Sequence, residues 1–136
     1  MKLFVLLFLL GMTSVWARPV APLAGTYSNL LYMAAEGDVT GMEMTIIPSG
    51  SEGNYTYHAL IQMAEGEPGV PQLVPVTFNA PMVTITFEYP GAGTVRFDGR
   101  LTGSALVGNL TGAQFGSTKY VLPRKAGFWQ PTAPRK

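Results

Sequence analysis

The residues of this chain whose types could do chemistry are one histidine and two pairs of neighbouring acids. His58 is the single histidine, and no serine stands in a nucleophile motif that would use it as a general base. Paired carboxylates hydrolyse glycosides when they converge in space, and carboxylates also bind calcium. Both pairs, Glu36 with Asp38 and Glu65 with Glu67, lie among turn residues, which favours solvated side chains. We therefore predict no catalytic residue and no metal, with His58 exposed or at the rim of the fold.

Composition removes several other classes of function. The chain has 136 residues and no Cys, which excludes a disulfide framework, a thiolate metal site and a cysteine nucleophile. No phosphate loop, dinucleotide fingerprint or EF-hand is present, so we expect no cofactor. Only 12% of the residues are charged while 11% are aromatic, a composition typical of a folded domain.

The first seventeen residues have the pattern of a signal peptide. Lys2 is followed by an apolar run from Leu3 to Met12, and Val15-Trp16-Ala17 fits signal peptidase. The run is too short for a spanning helix, and a retained anchor is the alternative. We expect cleavage after Ala17, a leader over residues 18–23, a barrel domain over 24–125 and a tail over 126–136. The protein is then periplasmic or secreted.

Charge is unevenly distributed along the rest of the chain. Without Lys2 the formal net charge of +1 becomes zero, which argues against nucleic-acid or anionic-membrane binding. Seven acids and no Lys or Arg lie between Pro19 and Val95, whereas from Leu101 onwards every charge is basic. In a closed sheet the last strand pairs with the first, which would bring the acidic and basic parts of the chain together. The alternative is that the basic residues form a tail that binds a polyelectrolyte.

Turn segments containing Gly or Pro, which interrupt strands, recur every eight to twelve residues. This spacing is typical of an all-β sandwich or barrel. The predicted strands are Tyr27–Met33, Val39–Ile47, Asn54–Ala64, Gln72–Phe78, Met82–Tyr89, Thr94–Leu101, Ala105–Leu110 and Phe115–Leu122. Two prolines and two glycines make Glu65–Pro71 an exposed loop. Pro75 should sit at an edge, at a bulge or at a widely spaced bond of the ladder. Phe128 and Trp129 fall in the tail.

Short turns between most of these strands favour a single antiparallel up-and-down β-barrel of about eight strands over a two-sheet sandwich. Gly99, Gly108 and Gly116 are interpreted as bends or bulges of the barrel. A barrel of this size is either filled by side chains or lined around one small ligand. The residues available to line it are Met42, Met44, Tyr55, Tyr57, Met63, Phe87 and Phe97, and methionine adapts its shape to apolar ligands.

Two segments resemble known families of barrels. Residues Phe97–Gly112 look like the closing half of small exported lipocalin-like domains, and Arg124 matches the basic residue that ends their last strand. Residues Leu23–Asn29 are similar to the Gly-x-Trp/Tyr start shared by lipocalin-like, avidin-like and bacterial barrel protease-inhibitor families. The resemblance implies a lipocalin-like barrel.

The resemblance also implies alternatives. Avidin-like pockets use several tryptophans, whereas Trp129 is the single Trp after Ala17, so Ser28 and Asn29 carry little weight as ligand contacts. Barrel inhibitors insert an N-terminal segment into a protease, which here would be Arg18–Pro22, but they usually carry a disulfide. The sequence predicts a monomeric, non-catalytic module that binds a small apolar ligand or a protein partner. A protease inhibitor and a hydrolase using paired acids are the alternatives.

Overall fold

The computed structural model describes residues 21–114 and 116–126, and all the regular structure in them is β-strand. The strands are β1 Gly25–Ser28, β2 Leu31–Met33, β3 Asp38–Ser51, β4 Asn54–Pro68, β5 Gln72–Asn79, β6 Met82–Tyr89, β7 Gly93–Leu101, β8 Ala105–Gly112 and β9 Gly116–Pro123. The predicted signal peptide, the first part of the leader and the tail from residue 127, with Phe128 and Trp129, lie outside the described residues.

The sheet is antiparallel throughout, and its strands follow one another in the order β1, β3 to β9, with β2 paired to β3 beside β1. At its two edges, Tyr27 of β1 forms a bridge with Arg124, and the Lys125 N–H donates to the Thr26 carbonyl at 2.7 Å. These contacts make an up-and-down, nearly closed barrel. The predicted fold class is confirmed, and the sandwich alternative is wrong.

The interior follows the predicted alternation most closely in β6 and β7. Val83, Ile85 and Phe87 are buried on β6, as are Val95 and Phe97 on β7, while the residues between them face outwards. Period-2 burial of this kind is what a strand with one face on a core requires. Ala21 and Leu23, from the segment expected as a leader, are also buried in this core.

The first predicted strand is interrupted at Asn29. The Asn29 N–H donates to the Met42 carbonyl at 3.1 Å, and the Asn29 side-chain Oδ1 accepts from the Met42 N–H at 2.8 Å. The side chain thus replaces the next backbone partner in the ladder, and β2 begins only at Leu31. Opposite this break Gly41 has φ +109°, and a Cβ there would lie 2.7 Å from the Asn29 carbonyl oxygen, so glycine is required.

The predicted loop Glu65–Pro71 is wrong in its first half, because β4 continues to Pro68. Glu65 pairs with Thr40 and Gly66 with Val39. The long strand β3 provides backbone hydrogen-bonding partners for this part of β4. The sequence of β4 alone does not show that these partners are present. Pro68 lies beyond these pairs, so its missing N–H interrupts no bond of the β3–β4 ladder.

Gly99 and Gly108 are not bulges, since they pair with each other in an unbroken β7–β8 ladder. They leave room for the ring of Phe97 inside the barrel. A Cβ on Gly108 would lie 2.5 Å from the Gly99 Cα and 2.8 Å from the Phe97 Cζ, distances shorter than van der Waals contact.

We expect Gly108→Ala to lower the free energy of unfolding by about 2 kcal/mol, because the added methyl group overpacks the core. Urea unfolding followed by circular dichroism measures the loss. Gly103→Ala is the matched control, since a Cβ at this exposed turn position meets no atom within 4 Å. Equal losses in the two variants would contradict the role given to Gly108.

Candidate functional site

A cavity of about 220 Å³ opens at one end of the barrel, between the end of β4 and the end of β6. We call it the mouth cavity. It is lined by Met63, Glu65, Glu67, Gly69, Tyr89 and Pro90. Met63 and Tyr89 are buried and form its floor, while the two glutamates and Pro90 are exposed at its rim.

One wall is the chain segment that leaves β4. The Gly69 N–H donates to the Met63 carbonyl at 2.8 Å, and the Gln62 amide donates to the Gly69 carbonyl at 3.0 Å. These two bonds fold the segment after Pro68 back onto β4. They hold Gly69 against the cavity although it lies outside every strand.

Tyr89 and Pro90, at the end of β6, form the opposite wall. This part of β6 lies beyond the last backbone pair between β5 and β6. Their backbone ladder runs from Val76 to Asn79 on β5 and stops before Pro75, so the missing N–H of Pro75 breaks no bond to β6. Nearer the mouth, the Gln72 side-chain amide donates to the Glu88 carbonyl at 2.5 Å and accepts from the Glu88 N–H at 3.1 Å. Gln72 therefore rejoins the strands beside Tyr89.

The Tyr89 hydroxyl donates a hydrogen bond to the Glu65 carboxylate. Burial raises the pKa of Tyr89 well above its ordinary value, and the hydrogen bond to Glu65 and the negative charge of Glu65 raise it further. Burial and then the charge of Glu65 also raise the pKa of Tyr120. Both phenols therefore stay protonated at neutral pH, and Tyr89 acts as a fixed donor that orients one carboxylate.

Three carboxylates of the described residues lie at this end of the barrel. The Asp38 carboxylate lies 4.0 Å from where a Cβ of Gly66 would stand, which places it on the same hairpin end as Glu65 and Glu67. Within residues 21–114 and 116–126 the ion pair is Arg96 with Asp98, at 2.7 Å on the outer surface. In the same residues no group of three or more His, Cys, Asp or Glu side chains is placed to hold a metal ion.

The residues predicted to line the lumen belong to one hydrophobic cluster. Six of the seven are buried in this cluster: Met42, Met44, Tyr57, Met63, Phe87 and Phe97. The seventh, Tyr55, is half-buried and packs against it. The Tyr57 ring meets Phe78 edge-on, with centroids 5.6 Å apart. Met63 alone of the seven also lines the mouth cavity. Binding by the others remains a prediction.

Of the predicted chemical groups, Glu65 and Glu67 are brought together at the cavity, whereas His58 is exposed on the outer face opposite Ile47 and Pro75. Sequence reasoning missed the cavity because it ended the strand at Ala64. Continuing the inward alternation of Ile61 and Met63 by two-residue steps reaches Glu65 and Glu67. That signal, together with inward-facing Tyr89, would have indicated the site.

Comparison of the chain with protein-family models, with curated proteins and with solved structures found no match. Among the residues that the structure describes, no helix is long and apolar enough to cross a membrane. The class that the geometry defines is an all-β, up-and-down, nearly closed antiparallel barrel, which agrees at a coarse level with a lipocalin-like fold.

Proposed function

We propose that this chain is an exported, non-catalytic binding module with a lipocalin-like barrel that holds a small, largely apolar ligand in the mouth cavity. The observation that carries the proposal is the cavity of about 220 Å³ at the end of an otherwise tightly packed core. Ligand pockets in proteins are concave and mainly apolar, with a few fixed polar groups. Met63, the Tyr89 ring and Pro90 supply the apolar surface here.

The size of the cavity limits the ligand. Pockets for drug-sized molecules measure roughly 300–1,000 Å³, so a volume of about 220 Å³ suits a ligand of fragment size. A larger ligand would extend beyond the exposed rim formed by Glu65, Glu67 and Pro90.

The absence of catalysis in this proposal is supported by the chemistry of the lining. Tyr89 is kept protonated, and Glu65 is engaged with its hydroxyl. A phenol that stays protonated cannot serve as the general base that such catalysis requires. A protease inhibitor would use the segment before the barrel, but Ala21 and Leu23 are buried and Arg124 donates to the Pro22 carbonyl at 3.0 Å.

The ligand proposal is tested with tert-butylbenzene, a neutral apolar probe, in an NMR titration of the Met63 methyl group and the Tyr89 ring. We expect saturable shifts at both residues. Met63→Trp fills the cavity and, with binding followed at the Tyr89 ring, should weaken it by about tenfold. Met82→Trp, at the other end of β6 where Met82 is half exposed, should leave binding unchanged. Shifts spread over the surface without saturation would overturn the proposal.

The export proposal is tested by the intact mass of the native protein. Expression in its own host should yield a mature chain that begins at Arg18, in the periplasm or the medium. Full-length chain recovered from the cytoplasm, with Met1 attached, would contradict export and would leave the ligand proposal untouched.

A further inference from the structure

We propose that the ligand of the mouth cavity is an organic cation, an amine or quaternary ammonium group joined to a small apolar body. This inference rests on the proposed binding function and adds the charge of the ligand. The cavity combines two carboxylates with an aromatic ring and a thioether, contributed by Glu65, Glu67, Tyr89 and Met63.

The first step is charge complementarity. Glu65 and Glu67 form no salt bridge with any residue in the part of the chain that the structure describes. Asp38, beside Gly66, adds a further negative charge at this end of the barrel. No Lys or Arg occurs between residues 19 and 95. A cleft lined by one sign of charge concentrates ligands of the opposite sign, so the mouth cavity attracts cations and repels anions.

The second step is orientation. The buried Tyr89 hydroxyl donates to the Glu65 carboxylate, so the carboxylate is held at the cavity wall before any ligand arrives. The same tyrosine also lines the cavity. Aromatic side chains attract ammonium groups, and a carboxylate attracts them by its opposite charge. Preorganisation of the carboxylate lowers the entropic cost of binding.

The third step separates an organic cation from a metal ion. Calcium requires six to eight oxygen ligands, and the described residues contain no group of three or more side chains placed to ligate a metal. Met63, Pro90 and the Tyr89 ring offer no hard oxygen ligand except the phenol, which already donates to Glu65. Methyl groups on a quaternary nitrogen instead fit an apolar, polarisable lining.

The test compares three probes of the same shape. Phenyltrimethylammonium is a cation, tert-butylbenzene is its neutral carbon isostere, and benzenesulfonate is an anion. The NMR titration at Met63 and Tyr89 gives the three dissociation constants for the full mature chain. We expect the cation to bind about tenfold more tightly than the neutral isostere, with no detectable binding of the anion and with an affinity for the cation that falls as salt is added.

Two variants test whether the preference for the cation over the neutral probe arises at the cavity. Glu65→Gln keeps an oxygen that accepts from Tyr89 and removes the charge, so it should bring the affinity for the cation to within about threefold of the neutral probe. Glu52→Gln is the matched control, because Glu52 is exposed in the β3–β4 turn at the opposite end of the barrel. It should leave all three dissociation constants unchanged.

The possible outcomes distinguish the two proposals. If the cation and the neutral isostere bind equally, the ligand is not a cation and the binding function stands. If Glu52→Gln reduces the preference as much as Glu65→Gln does, the attraction belongs to the net charge of the protein and the cation site is rejected. If no probe shifts Met63 or Tyr89, both the cation site and the binding function at this cavity are overturned.

Discussion

Phe97→Ala is expected to lower the free energy of unfolding by about 3–5 kcal/mol, the usual cost of truncating a buried phenylalanine to alanine. Phe97 has no exposed surface, and its ring occupies the space that Gly99 and Gly108 leave free. Neither glycine has a side chain to move into the vacated volume, so we expect the cavity to persist and the cost to lie in the upper half of this range.

The control for Phe97 is Arg100→Ala on the same strand. Arg100 is exposed, and loss of such a side chain changes stability by no more than about 0.5 kcal/mol. Urea unfolding of the two variants gives the comparison. Similar losses would show that the inward and outward faces of β7 are assigned wrongly.

Arg124→Ala is expected to cost about 3 kcal/mol, because this side chain joins the two edges of the barrel. Its guanidinium donates to the carbonyls of Pro22 and Ala24 and lies over the Tyr27 ring, 5.3 Å from the centroid. Hydrogen bonds from a charged donor contribute about 1.5–3 kcal/mol each, and a desolvated cation–π contact about 2 kcal/mol. The buried Nε has no hydrogen-bond partner within the described residues, which reduces the net contribution.

Two further variants make the Arg124 result specific. Arg124→Lys keeps the charge and loses the planar fork, so it should show an intermediate loss. Lys125→Ala should be neutral, because Lys125 contributes its backbone N–H to Thr26 and its side chain is exposed. A loss below about 1 kcal/mol for Arg124→Ala would mean that the strand ladders hold the barrel together without this contact.

The fold was predictable because each signal that specifies it is local. Alternation in Met82–Tyr89 and Thr94–Leu101 predicts which residues are buried, and both strands appear with those faces. Breakers such as Pro90 and Gly91 mark the hairpin between them. Short hairpins then leave few topologies other than an up-and-down sheet.

The mouth cavity was not predictable from such signals. Gly66 and Pro68 are strand breakers, so the sequence predicts a loop at Glu65 and Glu67. Pairing with Val39 and Thr40 on β3 nevertheless extends the strand and carries both carboxylates to the cavity. Tertiary partners override local propensity in this way, since strand preference depends on the neighbours that a strand meets.

The sequence by itself determined the all-β class, the inward faces of the central strands and the exclusion of thiol chemistry, because composition and period-2 alternation are properties of the chain alone. Only the tertiary structure decided that six of the predicted lumen residues lie buried in one cluster and that Glu65 meets Tyr89 at the end of the barrel. These two residues are 24 positions apart. Their contact depends on the register of β4, β5 and β6 and on the closeness of packing, and neither quantity is encoded in any single segment.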